Sequence, residues 1–448
     1  MNYDSAVRYL LSLGKELAAP TQAAAAKFDL ENISVLATRL GRPDRSYPSI
    51  HIAGTNGKGS TAAFLESILR RAGFRTGLYT SPHLERINER IRINGTEISD
   101  DAFAEVFSRV QALIEELLAD GKLRAHPTFF ECVTALAFEA FAQAGIDFAV
   151  FEVGLGGRLD ATNILSPAVC VITRIDFDHE NFLGHSLREI AAEKAGILKP
   201  ATPVVVAPQH EQAMEVILAR ARELSSPVIE TQKQFRLRDT SFTKEGCVRA
   251  EVMDLHAGKA LRIAPSLAGQ FQLENALNAA AAARLLQSRG FRMADAHIEE
   301  GIASVEWPGR LERLASRPDV YLDGAHNPAA ARAVVEFLQR NFAGRKIRLV
   351  FGALRDKAVD EVAGILFPHA DEVVFTQPRT SRAISAARLA EIAGHHAHRY
   401  SVVPNAEDAF DQALANAAPS DAVFVTGSLY LVGQLRHHWN MRTKVAVR

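Results

Sequence analysis

One pattern constrains this chain more than any other. Short runs rich in Val, Ile and Phe alternate with longer stretches of helical spacing, the signature of a parallel sheet covered by helices. Strands are expected near Ser49–Ala53, Thr76–Thr80, Asp147–Val153, Ala168–Thr173 and Pro203–Ala207. The run DFAVFEV (Asp147–Val153) is almost continuously apolar, as a strand buried on both faces must be. From Glu230 to Leu267 the pattern changes to short, charge-rich alternating runs, which predict a small antiparallel patch, and an alanine-rich helix follows over Leu273–Leu286. A second αβ series begins after Trp307-Pro308-Gly309, with strands near Val320–Leu322, Ile347–Phe351, Glu372–Thr376 and Ala422–Thr426. Proline and glycine break both periodicities, so this tripeptide is the expected joint between two αβ domains, residues 1–305 and 306–448.

Composition narrows the function classes. A chain of 448 residues with 48% hydrophobic and 23% charged residues can bury two or three cores and is not disordered. Its net charge is −1, so no polycationic surface argues for nucleic acid, and an anionic ligand must be held by local geometry. Cys132, Cys170 and Cys247 are too scattered for a disulfide framework or a zinc cluster, which makes a reducing cytoplasm the expected compartment. The start, MNYDSAVRYLLSLGKELAAP, reads as an amphipathic helix and not as a signal peptide, and no apolar run is long enough to span a membrane.

In open αβ sheets, ligands bind beyond the carboxyl ends of the strands. The first strand is followed by Gly54-Thr55-Asn56-Gly57-Lys58-Gly59-Ser60 and an expected helix over Thr61–Ala72. Glycines let backbone N–H groups turn inward around phosphate, the helix N-terminus adds partial positive charge, and Lys58 adds a point charge. The loop departs from the usual Gly-Lys-Ser/Thr, because Gly59 follows the lysine. The next strands lead into Thr80-Ser81-Pro82-His83, into Glu152 with Gly154-Leu155-Gly156-Gly157-Arg158-Leu159-Asp160, and into Asp176-Phe177-Asp178-His179. A hydroxyl, a carboxylate and an imidazole at the edge that carries the phosphate loop suit Mg²⁺, although each taken singly is an ordinary loop residue.

Lys194 is unexpected where it stands. Ser186 and Glu189 have the spacing of a capping box, and Leu187, Ile190, Ala191 and Lys194 then share one helix face. Two readings stay open: a snorkelling lysine with its ammonium in water, or a desolvated amine available for covalent modification or phosphate contact. Asp323-Gly-Ala-His326-Asn327-Pro328 is a strand-to-helix turn that capping alone could explain, as is Thr426-Gly427-Ser428.

Taken together, these residues resemble the folylpolyglutamate synthase and dihydrofolate synthase family, relatives of the Mur ligases. The blocks that carry the resemblance are GTNGKGS (Gly54–Ser60), TSPHL (Thr80–Leu84), ERIRINGTEI (Glu89–Ile98), TFFE (Thr128–Glu131) and EVGLGGRLDATN (Glu152–Asn163). DHENFLG (Asp178–Gly184), EKAGILK (Glu193–Lys199), NALNAA (Asn275–Ala280), WPGRLE (Trp307–Glu312) and DGAHNP (Asp323–Pro328) continue the series. The resemblance implies a P-loop parallel-sheet ATPase domain followed by a smaller Rossmann-like glutamate ligase domain. It carries ATP contact to Gly54–Ser60, Asn275, Arg310 and Asp323, and magnesium ligation to Ser81, Glu152 and His179. Lys194 matches a lysine held as a carbamate, and Thr128, Phe129, Phe130, Glu131, Leu159, Asp160 and Ala161 match the pterin side of the folate pocket. The catalytic positions are then Lys58, His179 and Lys194.

The implied reaction is ATP-driven ligation of L-glutamate to a folate-type carboxylate through an acyl phosphate, with two Mg²⁺ ions, in a monomer. A bifunctional dihydrofolate and folylpolyglutamate synthase is the expected form, and a folylpolyglutamate synthase alone is the alternative. A Mur-type peptidoglycan ligase is disfavoured by the TFFE and LDATN blocks. A P-loop GTPase or kinase, or a non-catalytic nucleotide-binding module, leaves the second domain or Lys194 without a use.

Overall fold

A computed structural model describes residues 1–14 and 29–446, side chains being described to Thr443. Among the described residues, eight strands form the first sheet: β1 (Ser49–Ala53), β2 (Thr76–Tyr79), β3 (Ile91–Ile93), β4 (Thr96–Glu97), β5 (Phe148–Glu152), β6 (Val169–Ile172), β7 (Val204–Val206) and β8 (Val228–Glu230). Their order is β4-β3-β2-β5-β1-β6-β7-β8. The six strands β2, β5, β1, β6, β7 and β8 pair in parallel, β3 runs antiparallel to β2, and β4 runs antiparallel to β3. β1 and β5 are buried at every position, because helices cover both faces. The expected strands are all present. The sequence reading missed β3, β4 and β8, which are too short and too polar to stand out from the loops around them.

Helix Lys58–Arg71 begins at the lysine of the glycine loop, three residues before the expected start. Gly57 at φ 86° makes the tight turn that lets it do so. Packing against this helix come Phe271–Ser288, longer than expected at both ends, and Asp295–Ala303. The alanines of Phe271–Ser288 are completely buried and let it lie close to the sheet. The antiparallel patch is a three-stranded sheet of Phe235–Phe242, Val248–Asp254 and Lys259–Ile263.

Among the described residues, the second sheet holds six strands, from Glu312–Ser316 to Ala422–Thr426. Its first strand is antiparallel and the other five are parallel. Tyr321, Phe337, Phe342 and Phe424 form its aromatic core. The helix at the start of the chain spans Tyr3–Ser12, and the remainder of the segment read there as helical, beyond Gly14, lies outside the described residues. Among the described residues, no helix is long and apolar enough to cross a membrane.

Candidate active site

The carboxyl ends of β1, β2, β5 and β6 deliver their loops to one cleft of about 730 Å³. Every residue assigned above to nucleotide or metal contact lines it, from Gly54–Ser60 through Ser81, Glu152 and His179 to Asn275, Arg310 and Asp323. The glycine loop lies tight against its neighbours. A methyl group added at Gly57 would stand 2.1 Å from Asn275 Oδ1, and one at Gly59 would stand 3.5 Å from both carboxylate oxygens of Glu152. Ser81 donates its backbone N–H to Glu152 Oε2 at 3.0 Å, which joins the second loop to the third.

Lys194 occupies the floor of this cleft. Ser186 caps its helix, Leu187–Ala195, by accepting from the Glu189 N–H, as the spacing predicted. The side chain is 4% exposed, so the snorkelling reading is wrong. Its Nζ donates to the Gly54 carbonyl at 2.8 Å, while Lys58 Nζ donates to the same carbonyl at 3.1 Å and to that of Thr55 at 3.2 Å. Burial, and then the neighbouring Lys58 charge, pull the Lys194 ammonium down to about 7. Burial lowers Lys58 as well, and burial raises Glu152 against the opposing pull of Lys58. The site therefore holds an amine that is part neutral at physiological pH beside a carboxylate and a loop built for anions.

A second cavity, of about 900 Å³, adjoins the first. Thr128, Phe129, Phe130, Glu131, Leu159, Asp160 and Ala161 all line it, with Phe182 and the segment around Leu13. The two cavities share Ser81, Pro82, Gly154, Leu155, Gly156 and His179 as a common wall. Thr128 and Glu131 form a capping box that starts helix Phe129–Ala144 and sets both phenylalanines at the cavity. Asp160 is fully committed: it accepts from the N–H groups of Gly154 and Leu155 and from the N–H and hydroxyl of Thr162. It thereby holds the glycine-rich loop that forms the shared wall.

Two family models match the chain, the Mur ligase middle domain over residues 52–283 and the Mur ligase glutamate ligase domain over residues 309–429. The dihydrofolate synthase/folylpolyglutamate synthase of Bacillus subtilis is 35% identical across 91% of this chain and 94% of its own. The chain belongs to the folylpolyglutamate synthase/dihydrofolate synthase family. Escherichia coli FolC in complex with DHPP and ADP superposes with a TM-score of 0.86, at 31% identity and 99% coverage of both chains. The bifunctional folylpolyglutamate synthase/dihydrofolate synthase of Yersinia pestis, complexed with AMPPNP and Mn ion, superposes with a TM-score of 0.82, at 30% identity and 98% coverage of both.

For a member of this family, the second sheet's share of the cleft is the part the sequence reading undervalued. Lys357 is 7% exposed on its side chain, and its Nζ reaches Asp178 Oδ1 at 2.7 Å and His179 Nε2 at 3.2 Å. Asn327, which caps helix Pro328–Asn341 as expected, also donates to Asn56 Oδ1 at 3.1 Å and to Asp178 Oδ2 at 3.2 Å. Arg382 lines the larger cavity and pairs with Asp356 at 2.8 Å. The signal was available: Asp356 and Lys357 follow the strand Ile347–Phe351, so the strand-end rule applied to the first sheet finds them in the second. His179 sits at φ 52°, and its buried Nδ1 makes no hydrogen bond but stands 3.8 Å from Asp356 Oδ2, itself without a hydrogen-bond partner.

Arg310 and Asp323 meet through a strained joint. Leu311 takes φ 45°, and its N–H donates to Asp323 Oδ2 at 2.9 Å. Further along, the Thr80–Glu85 loop is clamped from the second sheet's side by helix Leu429–Ala446. Arg436 bonds both Glu85 and Glu312, and a methyl group at Gly433 would stand 2.0 Å from the Leu84 carbonyl oxygen. Gly433→Ala is therefore expected to destabilise the fold by about 1–3 kcal/mol, as overpacking does. It should also raise the KM for ATP, because the same loop carries Ser81. Chemical denaturation and steady-state kinetics check both effects.

Proposed function

We propose that this chain ligates L-glutamate to a folate-type carboxylate at the expense of ATP, acting on both dihydropteroate and tetrahydrofolate glutamates. One observation carries the reading. A phosphate cradle and an aromatic-lined cavity share a wall, and that wall holds Ser81, the Gly154–Gly156 loop and His179. A pterin stacked near Phe129 and Phe130 directs its distal carboxylate to the wall from one side, and ATP in the glycine loop presents its γ-phosphate from the other.

The chain's own groups account for the chemistry. The carboxylate attacks the γ-phosphorus, ADP leaves, and the acyl phosphate forms. The amine of glutamate then attacks the acyl carbon, an amide forms, and inorganic phosphate departs. Two anions must meet in the first step, so Lys58, Arg310 and the loop N–H groups are needed to offset their repulsion. The donor set fits a hard divalent cation: a buried carboxylate on Glu152, the hydroxyl of Ser81 and the His179 imidazole, whose Nδ1 makes no hydrogen bond. Mg²⁺ held by these groups, as two ions, would neutralise phosphate charge during transfer. Lys194, its ammonium weakened by burial, is suited to add through Nζ to carbon dioxide. The N–C bond forms, a proton is released, and the resulting carbamate would offer an anionic oxygen to a bound divalent cation. Lys357 and Arg382, across the cleft, offer cations for the carboxylates of the incoming glutamate.

The test is a substrate panel with ATP, labelled glutamate and either dihydropteroate or tetrahydrofolate monoglutamate. Label should enter both acceptors. Incorporation into tetrahydrofolate alone would select the folylpolyglutamate synthase alternative. ADP release without incorporation into either would overturn ligation.

A further inference from the structure

We propose that Asp360, His395 and His396, on the outer face of the second sheet's layer, form a binding site for a transition-metal cation of the zinc class. Among the described residues, this is the one group of three His, Cys, Asp or Glu side chains whose ligand atoms all lie within 4.8 Å of one another. Asp360 stands in the first turn of helix Val359–Leu366, and the two histidines end the short turn Gly394–His396.

Hydrogen bonding explains only part of this arrangement. His396 Nε2 meets Asp360 Oδ1 at 2.9 Å, an ordinary bond. His395 Nε2 is 3.7 Å from that same oxygen, too far for a hydrogen bond, yet its ring is held 3.9 Å from the ring of His396, tilted by 41°. Ligands about 2.0–2.1 Å from a tetrahedral ion stand about 3.3–3.5 Å apart, and the two measured separations bracket that spacing. The His396 ring lies beside Gly364, where a methyl group added to the glycine would stand 3.3 Å from its Cε1. Exposure of Asp360 and His395 leaves the remaining coordination positions to water.

Ligand type sets the ion class. Two imidazoles with one carboxylate suit Zn²⁺ and its neighbours, whereas Mg²⁺ and Ca²⁺ favour all-oxygen shells. This separates the cluster from the catalytic cleft, whose donors are mainly oxygen. The position also has a consequence. Asp360 lies three residues beyond Lys357, whose ammonium bonds Asp178 across the cleft, so a bound ion would tie the base of that loop to the 394–396 turn.

The experiment is calorimetric titration of Zn²⁺ into the untagged, chelator-treated chain, with excess Mg²⁺ present to occupy oxygen-rich sites. Wild type should bind one equivalent saturably and melt at a higher temperature with Zn²⁺. The His395→Ala/His396→Ala variant should lose that equivalent, with affinity down at least about tenfold and the Zn²⁺-dependent melting shift abolished. Asp360→Asn, which keeps the shape and can still accept from His396, should weaken binding in the same direction. Both variants should keep wild-type turnover at saturating Mg²⁺ without zinc, which shows that they fold. Absence of saturable Zn²⁺ binding in wild type, or an unchanged isotherm in the double variant, would overturn the site.

Discussion

Replacing Lys194 by Ala is expected to lower kcat by about 10³-fold while ATP binding stays close to wild type, because loss of charge stabilisation acts on the transferring phosphoryl group more than on the bound nucleotide. The groups proposed to contact the nucleotide, the loop N–H groups and Lys58, are left in place by this change. What is lost is a buried amine, brought down to about 7 by desolvation and by Lys58, at the floor of the phosphate cleft. If it acts as a carbamate, millimolar propionate added to Lys194→Ala should restore part of the rate, since a small carboxylate can take the vacated space. Intact-mass measurement of wild type in bicarbonate, before and after acid treatment, reads the modification directly. Full activity in Lys194→Ala would refute its role in the reaction.

Glu152→Gln carries the second largest effect. The variant keeps an oxygen that can accept the Ser81 N–H now bonded at 3.0 Å, so the loop geometry should survive and the circular dichroism spectrum should be unchanged. The charge is removed, however, and a neutral amide is a poor ligand for a hard divalent cation. Turnover should fall by about 10²–10³-fold, with the metal activation curve displaced to higher Mg²⁺ concentration. Glu152→Asp should retain more activity than Glu152→Gln. Equal metal dependence in wild type and Glu152→Gln would remove Glu152 from the metal shell.

Particular elements show why some of this architecture could be read directly and some could not. DFAVFEV announced β5 because a strand buried on both faces has no polar alternation to confuse with a helix. β3, β4 and β8, at the ends of the sheet, carry too few apolar residues to be seen. Helix Lys58–Arg71 was placed late because Gly59 and Ser60 resist helix by propensity, and the turn at Gly57 with packing against Phe271–Ser288 overrides that preference. Lys194 was marked by its place on an apolar stripe, yet two opposite fates shared that pattern until the Gly54 carbonyl was found at its ammonium. Lys357 and Arg382 carried no such mark, since a lone cation in a loop is common.

Order along the chain was thus enough to establish the parallel sheets, the glycine loop before a helix and the block pattern of the family, because each depends on neighbours a few residues apart. Which side chains share a cleft depends on contacts across hundreds of residues: Asp178 with Lys357, Asn56 with Asn327, Glu85 with Arg436. Desolvation of Lys194 belongs to that second kind. A lysine's charge is weakened only when the folded chain takes water away from it, and no local pattern says what will close over it.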